Sequence, residues 1–424
     1  MHRFVGILGI LTMICIIYLL SANKRAVKLR VIGWGLGLQF MFAVIVLKTG
    51  PGKWFFLKIN DVVIGILGCA QEGAAFVFGN LVNMFVPVGQ NGPDGFKQVQ
   101  DLFANHGSAI FAFSVLPTII FFSALMSLLY HYGVMQRIVL FMARIMSKTM
   151  KTSGAESLSA ASNIFVGQTE APLVVRPYLS KMTMSELNAI MVGGFATIAG
   201  GVMAAYVGLL KAQIPNIAGH LLSASIMSAP AGLMMAKIMR PEVDQPETAG
   251  NIKLTTEKHT QNGIDAIAAG AGDGLKLALN VAAMLVAFIG LIALINVILG
   301  LIHSGLSLSA IFGKVMSPLA WLMGITWKDA PQFGDLLGTQ LMMNEFVSYT
   351  KLQGYAAIID PRTAILATYA LCGFSNLGSV GIQIGGISAL APDRRGDLAK
   401  LGLKAMLCGA FASWCTCCVA GILL

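Results

Sequence analysis

The chain has 424 residues, of which 56% are hydrophobic and only 11% are charged, and its mean hydropathy is +0.76. These values exclude a soluble globular domain and indicate a polytopic helical membrane protein, since long apolar runs recur and barrel-type alternation does not. The formal charge of +10 does not indicate nucleic-acid binding, because the basic residues lie in short clusters between apolar runs, as the positive-inside rule expects.

The apolar runs predict eight membrane crossings, because a spanning helix needs about 20 mostly apolar residues. We place the basic clusters on the cytoplasmic side, which puts both termini outside and gives a multi-pass protein of the cell (inner) membrane. The first run lacks a small-x-small cleavage site, so we interpret it as an uncleaved helix. The crossings are expected near residues 4–20, 31–48, 109–130, 187–210, 217–238, 275–301, 363–388 and 402–423.

Two polar segments do not fit as crossings. Residues 155–182 begin and end beside cytoplasmic basic clusters and are interrupted by Gly167 and Pro172. Residues 331–355 contain Glu345 and lie between an outward and an inward crossing. A charged side chain at the bilayer centre costs about 2.5–3.5 kcal/mol, and irregular backbone is tolerated there only where it is buried or lines a cavity. Both segments are therefore predicted to be re-entrant hairpins that enter from opposite sides.

The hairpins belong to a repeated unit. Phe195-Ala-Thr-Ile-Ala199 resembles Phe374-Ser-Asn-Leu-Gly378, and each copy follows a hairpin glutamate, Glu170 or Glu345, at a similar distance. The loop charges place the two units in opposite orientations. Inverted repeats with broken helices are typical of secondary transporters, whose binding site lies near the membrane midplane between the repeats.

Three motifs in these segments resemble the concentrative nucleoside transporter family. They are Asn163-Ile-Phe-Val-Gly-Gln-Thr-Glu170, Asn344-Glu-Phe-Val347 and Cys372-Gly-Phe-Ser-Asn376, and further matching blocks extend the likeness over nearly the whole chain. The resemblance implies an all-α polytopic membrane protein with eight transmembrane helices and two oppositely oriented re-entrant hairpins. It also implies a homotrimer and an elevator-type transporter that imports nucleosides by symport with sodium. The implied partners are nucleoside, lipid bilayer and co-transported sodium ion, with no organic cofactor and no nucleic acid.

The same resemblance implies a division into scaffold and transport parts. Each transport repeat comprises an interfacial helix, a hairpin, a broken helix and a further helix. The expected parts are scaffold helices 1–3 at residues 1–130, the first transport repeat at 131–240, a cytoplasmic loop at 241–264, scaffold helix 6 at 265–303 and the second transport repeat at 304–424.

Carried over by motif, the implied ligand-binding residues come mainly from the hairpins and the broken helices. Those implied for the nucleobase are Gln168, Thr169 and Glu170; for the ribose Glu345, Asn376 and Ser379; and for packing around the nucleoside Phe374, Val202 and Leu277. Those implied for sodium are Asn163 and Thr197 through side-chain oxygens and Val166 and Ile198 through backbone carbonyls. The chemistry is consistent, since a ribose diol suits a carboxylate and an amide, and a hard cation suits oxygen ligands.

Three positions depart from the family pattern. Gln340 stands where many relatives have a lysine, and Gly378 stands where a serine is common. Thr197 stands where a serine is frequent, but it retains the hydroxyl that a cation would need.

The sequence leaves other functions open. A proton-coupled nucleoside symporter would use Glu170 or Glu345 as its titrating group, and a purely structural role for these carboxyls, locking the hairpin tips, is also open. We favour sodium because the Gln-Thr-Glu-Ala-Pro pattern ending at Pro172 is retained. An intramembrane aspartyl protease is suggested by Gly270-Ala-Gly-Asp273 but disfavoured, because catalysis needs a second aspartate motif and none is present. We therefore expect that the protein is not an enzyme.

Two further classes have little support in the sequence. A channel would need a repeated, ring-forming selectivity motif, and none occurs. The cysteines and histidines show no metal-ligand spacing, so no metal site other than that for sodium is predicted.

Overall fold

The computed structural model describes residues 2–82, 88–92, 95–100, 111–250, 260–303 and 305–424. The α-helices are α1 (His2–Leu19), α2 (Leu29–Lys48), α3 (Gly50–Phe78), α4 (Phe111–Ser114), α5 (Leu116–His131), α6 (Val134–Met150), α7 (Gly154–Ser162), α8 (Met184–Ala196), α9 (Gly200–Leu210), α10 (Ile217–Met239), α11 (Gly263–Ile302), α12 (Leu308–Leu322), α13 (Ala330–Met342), α14 (Glu345–Tyr355), α15 (Pro361–Ala370), α16 (Leu377–Leu390) and α17 (Arg395–Leu423). Shorter 3₁₀ segments are Lys24–Ala26, Gly79–Val82, Ala171–Lys181 and Pro392–Arg394. The predicted all-α class is confirmed.

One short element was not predicted. Strands β1 (Val88–Gly92) and β2 (Gly95–Gln100) pair antiparallel, with Gly92 opposite Gly95 and an irregularity between Val88 and Gly89. This hairpin lies in the sequence before the third predicted crossing. Residues 109 and 110 of that crossing, and residues 251–259 of the predicted loop, lie outside the described residues.

Most of the predicted crossings coincide with long apolar helices. Among the described residues, seven helices are long and apolar enough to cross a membrane, and six of them match predicted crossings. The other two predicted crossings correspond to the shorter α1 and to the broken pair α15 and α16.

The seventh long helix, α3, was missed by the sequence analysis. It begins directly after α2, and the Thr49 side chain accepts a hydrogen bond of 3.0 Å from the backbone amide of Gly52 in its first turn. Its first half carries exposed charges, including the pair formed by Lys58 and Asp61 at 3.8 Å. These charges interrupt the apolar pattern, which is why the segment was not recognised as a long helix.

The first repeat begins with the amphipathic helix α6, as predicted. Ser153 and Glu156 then start α7 with a capping box, and Thr183 and Glu186 start α8 with a second one. The first hairpin consists of α7, an irregular turn and the 3₁₀ segment that follows Glu170. The predicted break is present, because the chain is extended between α8 and α9 from Thr197 onward.

The second repeat has the same order of elements. The amphipathic helix α12 precedes a hairpin formed by α13 and α14, and the broken pair α15 and α16 precedes α17. Asn344 caps α14 by accepting a hydrogen bond of 2.8 Å from the Val347 amide. Asn376 caps α16 by accepting one of 2.7 Å from the Ser379 amide. Both caps place polar side chains at the middle of the repeat, where the helices are interrupted.

The core lies within the two repeats. In the segments Met184–Leu210, which contains the break, and Ile217–Met239, 89% of the most apolar window is buried, whereas in α11 the value is 6%. α11 packs on α5 and leaves most of its apolar surface exposed. The repeats therefore form a compact body, and α11 presents a long apolar face outward.

Candidate functional site

The predicted ribose residues lie together at the interrupted helices of the second repeat. Asn376 donates a hydrogen bond of 3.0 Å from Nδ2 to Oε2 of Glu345, at the first turn of α14. The Asn376 side chain also accepts a hydrogen bond from the backbone amide of Ser379. Asn376 therefore contacts both of the other residues predicted for the ribose. Glu345 is 6% exposed, and its carboxylate is thus held by a neutral amide in a mostly dry environment.

A tyrosine that the sequence analysis missed completes this cluster. Tyr206, on α9 of the first repeat, donates a hydrogen bond of 3.1 Å to Oε1 of Glu345. Its ring stacks on Tyr349 with centroids 4.1 Å apart and meets Phe346 edge-on at 5.2 Å. The available signal was a lone tyrosine in an apolar segment shortly after the Thr197 break.

The predicted nucleobase residues lie in the turn of the first hairpin. Gln168 donates a hydrogen bond of 3.1 Å from Nε2 to Oγ of Ser379, which links the two repeats directly. Thr169 packs closely on α16, since a Cβ at Gly386 would lie 2.8 Å from its Cγ2. Glu170 is exposed, and its Oε2 accepts a hydrogen bond of 3.1 Å from the Gly167 amide.

The predicted packing residues are more widely spread. Val202 is buried on α9, one turn before Tyr206. Leu277 is partly buried on α11, and Phe374 is partly buried in the break before α16. The structure therefore brings Gln168, Glu345, Asn376 and Ser379 into one bonded network, and it puts Val202, Leu277 and Phe374 on separate elements.

The predicted cation residues lie where the first hairpin turn meets the break between α8 and α9. Asn163 is 1% exposed; its Nδ2 donates to the Ser159 carbonyl at 3.1 Å, and its Oδ1 is buried with no hydrogen-bond partner. Thr197 donates a hydrogen bond of 2.9 Å to the Gly193 carbonyl. A buried acceptor without a partner costs about 1–3 kcal/mol, so this oxygen suits a bound cation.

Backbone contacts hold this region in shape. The Gly200 amide donates a hydrogen bond of 2.9 Å to the Phe165 carbonyl and so joins the hairpin turn to the start of α9. Val166 and Ile198, the predicted carbonyl ligands, lie in the non-helical segments on either side of this bond. Amide, hydroxyl and carbonyl oxygens fit the donor set that a hard cation prefers.

Two consecutive glycines of α8 allow this close packing. A Cβ at Gly193 would lie 3.1 Å from Nδ2 of Asn163, and a Cβ at Gly194 would lie 2.9 Å from Cβ of Gln168. One glycine therefore faces a predicted cation residue, and the next faces a predicted substrate residue.

Two of the three departures from the family pattern, Gln340 and Gly378, have local explanations. Gln340 is buried and donates through Nε2 to the carbonyls of Leu371 and Gly373, at 3.2 and 3.0 Å. It satisfies the carboxyl end of α15 without adding charge to the site. At Gly378, a Cβ would lie 3.3 Å from Oδ1 of Asn376, which is tight but leaves room for a small residue.

A buried ionic network lies at the base of the first hairpin. Lys237, at the end of α10, contacts Glu156 at 2.7 Å and Glu242 at 3.2 Å, and it donates a hydrogen bond of 2.9 Å to Ser185. Glu156 also starts α7 through its capping box with Ser153. The contact with Lys237 had no local signal because the partners are far apart in sequence.

The structure also shows the surroundings of Asp273, which suggested an aspartyl protease, and of the side chains that could bind a metal ion. Asp273 and Lys276 pair at 3.5 Å on α11 with about three-quarters of each side chain exposed (76% and 80%). The two residues are three positions apart on one face of the helix, where oppositely charged side chains can pair. Within the described part of the chain, no group of three His, Cys, Asp or Glu side chains is arranged to hold a metal ion.

Comparison with known proteins assigns the chain to a family. Family models match at residues 8–81 (Na+ dependent nucleoside transporter N-terminus), 112–213 (nucleoside recognition, or Gate) and 220–421 (Na+ dependent nucleoside transporter C-terminus). An uncharacterized transporter of Haemophilus influenzae is 43% identical over 99% of this chain and 97% of its own length. The chain belongs to the sodium-dependent nucleoside transporter family.

Other members of the sodium-dependent nucleoside transporter family support this assignment. Sodium/nucleoside cotransporter 1 of Mus musculus is 39% identical over the whole of this chain, which spans 64% of the mouse protein. The solved structure of CNTnw in an inward-facing substrate-bound state has a TM-score of 0.91 at 38% identity. The match covers 100% of this chain and 98% of the CNTnw chain. An outward-facing structure of a CNTnw variant also has a TM-score of 0.91, with the same identity and coverage.

These findings confirm the predicted family, the fold class and the class of function. The family is one of transporters rather than enzymes, and its structures in inward- and outward-facing states are consistent with alternating access. Family membership, together with the long apolar helices, makes the chain a multi-pass membrane protein.

Proposed function

We propose that this protein imports nucleosides across the cell membrane by symport with sodium. The observation that carries the proposal is the contact between Glu345 and Asn376, which places a carboxylate and an amide side by side at the interrupted helices. This pair can bind the two adjacent hydroxyls of a ribose. The carboxylate would accept a hydrogen bond from one hydroxyl, and the amide would hydrogen-bond to the other. Gln168, bonded to Ser379 across the repeats, is then well placed to contact the base.

The unpartnered Oδ1 of Asn163 supports sodium as the coupling ion. The Thr197 hydroxyl bonds to the carbonyl of Gly193, the glycine that packs against Asn163, and family membership favours sodium co-transport. One sodium ion crossing about 100 mV releases about 2.3 kcal/mol, and a tenfold gradient adds about 1.4 kcal/mol. At one-to-one stoichiometry, the sum of about 3.7 kcal/mol supports about 500-fold accumulation of a neutral nucleoside.

The proposed topology has eight crossings with both termini outside. It requires that α3 lie along the outer membrane surface, because a ninth crossing would reverse the side of every later loop. Two features of α3 support this: its immediate start after α2 and its exposed charges at Lys58 and Asp61. An interfacial helix tolerates such charges, whereas the bilayer core does not.

We further propose a homotrimer in which the scaffold parts, residues 1–130 and 265–303, support transport repeats 131–240 and 304–424. The exposed apolar face of α11 is long enough to contact both lipid and neighbouring subunits. The compact packing of the two repeats supports their movement as one elevator-like body, in which the binding site is carried between the two sides. Residues 241–264 would form the cytoplasmic connection.

Uptake of radiolabelled uridine into proteoliposomes tests this proposal. A sodium gradient and a proton gradient are imposed separately, with potassium replacing sodium in the control. We expect uptake with the sodium gradient alone. Uptake driven only by protons would replace sodium with the proton as coupling ion, and uptake with neither gradient would refute the symporter.

A variant connects the activity to the proposed site. Glu345→Gln removes the only carboxylate in the ribose cluster, so we expect loss of most uridine binding and uptake while the oligomer remains intact by size-exclusion chromatography. Asp397→Asn is the control, since that carboxylate lies far along the chain at the start of α17 and contacts Arg394. Unchanged uridine affinity in Glu345→Gln would remove this residue from the site.

A further inference from the structure

Two glutamine side chains form a continuous hydrogen-bond chain beside the proposed base position. Gln383, on α16, donates from Nε2 to the backbone carbonyl of Met191 at 3.1 Å and to Oε1 of Gln168 at 3.0 Å. Gln168 in turn donates from Nε2 to Oγ of Ser379 at 3.1 Å. This series of hydrogen bonds therefore connects the backbone of α8, through Gln383 and Gln168, to the predicted substrate residue Ser379.

The chemistry of this chain fixes the orientation of both amides. A backbone carbonyl can only accept, so the atom of Gln383 that faces Met191 must be its NH2 group. The same NH2 group contacts Gln168, whose facing atom must then be the carbonyl oxygen. The NH2 group of Gln168 is consequently turned away from Gln383 and toward Ser379.

Close packing allows neither amide to rotate freely. Gln383 is completely buried and Gln168 is 8% exposed. A Cβ at Gly194 would lie 2.7 Å from Nε2 of Gln383 and 2.9 Å from Cβ of Gln168, so both side chains rest against the backbone of α8. Oε1 of Gln383 is buried without a partner, so the hydrogen bonds of this side chain come from its NH2 group alone.

We propose that Gln383 is a positioning residue that holds Gln168 as a hydrogen-bond donor toward the nucleobase. This inference rests on the proposed function. An amide NH2 group has two hydrogens, of which Ser379 receives one, leaving the other for an acceptor on the base. The transporter would therefore select nucleosides whose base presents a carbonyl oxygen or an unprotonated ring nitrogen at this position.

A double-mutant cycle tests whether Gln383 acts through Gln168. Uridine affinity is measured by isothermal titration calorimetry at saturating sodium for the wild type, Gln383→Met, Gln168→Ala and the double variant. We expect Gln383→Met to weaken binding about 5- to 10-fold, the equivalent of one hydrogen bond, in the wild-type background. In the Gln168→Ala background it should have no further effect.

A ligand comparison separates positioning of the base from general loosening of the site. The ratio of affinities for uridine and 2′-deoxyuridine reports on the ribose contacts of Glu345 and Asn376. Gln383→Met should leave this ratio unchanged. Ser388→Ala, on the same helix, removes a hydroxyl that bonds only to Gly385 at 3.2 Å and should leave uridine affinity unchanged.

Gln168→Glu gives a second test that does not alter Gln383. A carboxylate can still accept from Gln383, but it cannot donate to Ser379 or to a base, so uridine affinity should fall at least as far as in Gln383→Met. Undiminished affinity in Gln168→Glu, or an equal effect of Gln383→Met in both backgrounds, would overturn the inference. Failure of the wild type to bind uridine would overturn the proposed function and the inference with it.

Discussion

The hydroxyl of Tyr206 donates a hydrogen bond of 3.1 Å to Oε1 of Glu345, so a helix of the first repeat orients a carboxylate of the second. The other oxygen of that carboxylate is held by Asn376 at 3.0 Å. Because the buried ring of Tyr206 packs on both Tyr349 and Phe346 of α14, its hydroxyl has little freedom to move. The position of Glu345 is thus determined by both repeats.

Tyr206→Phe should weaken nucleoside binding about 5- to 10-fold, because it removes one buried hydrogen bond and leaves the ring stacking in place. The affinity is measured by calorimetry in detergent. Tyr349→Phe is the matched control, since that hydroxyl donates instead to the Thr368 carbonyl at 3.0 Å. An effect of Tyr349→Phe on affinity as large as that of Tyr206→Phe would show that loss of either buried hydroxyl weakens binding, and would contradict a specific role for the bond to Glu345.

Asn163→Ala should raise the sodium concentration needed for half-maximal uridine uptake several-fold, because it removes the unpartnered oxygen assigned to the cation. Uptake at saturating sodium should change little. Asn188→Ala is the control: Asn188 is also fully buried with an unpartnered Oδ1, but it donates to the Ala236 carbonyl and lies at the α8–α10 contact. An unaltered sodium dependence in Asn163→Ala would contradict the assignment.

Lys237→Met should destabilise the protein by about 3–5 kcal/mol, because it leaves the buried Glu156 without its positive partner. The free energy of unfolding is followed by denaturant titration in detergent. Combining it with Glu156→Gln should recover part of the loss, since the uncompensated charge is then removed. Lys276→Met breaks an exposed pair and should have almost no effect; equal effects of the two lysine variants would be inconsistent with a buried network.

Gly194→Ala should reduce nucleoside affinity, because the added methyl group would lie within 3 Å of both Gln168 and Gln383. Gly208→Ala is the matched control, since a Cβ at that helical position meets no atom within 4 Å. Alanine is about 1 kcal/mol better than glycine inside a helix, so the control should be neutral or slightly more stable. Wild-type affinity in Gly194→Ala would show that Gln168 and Gln383 can move away from the added methyl group without loss of binding, and would contradict this prediction.

The sequence was sufficient to predict the order of elements in both repeats. Polar residues in apolar surroundings marked both hairpins, Gly167 and Pro172 marked the break in the first, and the family resemblance implied the interfacial helices α6 and α12. Loop charges then indicated that the two repeats are inverted. These signals are local or depend on composition, so they do not require knowledge of the packing.

The missed features depend on contacts between distant segments. Tyr206 and Gln383 resemble ordinary residues of apolar helices, and only packing brings them to Glu345 and Gln168. Lys237 ends the predicted crossing at residues 217–238 and resembles an ordinary cytoplasmic basic residue in sequence, whereas it is 7% exposed and paired with a carboxylate of the first hairpin. α3 was missed because its charges interrupt the apolar pattern, which composition alone cannot distinguish from a loop.

The adjacent glycines of α8 have a thermodynamic consequence. Gly193 contacts the side chain assigned to the cation, and Gly194 contacts the side chain assigned to the base. Any shift of this turn on binding one ligand therefore alters the pocket of the other. By linkage, the factor by which sodium tightens nucleoside binding must equal the factor by which nucleoside tightens sodium binding. With these two assignments, cooperativity between ion and solute would originate within a single helical turn, without a relay through the rest of the protein.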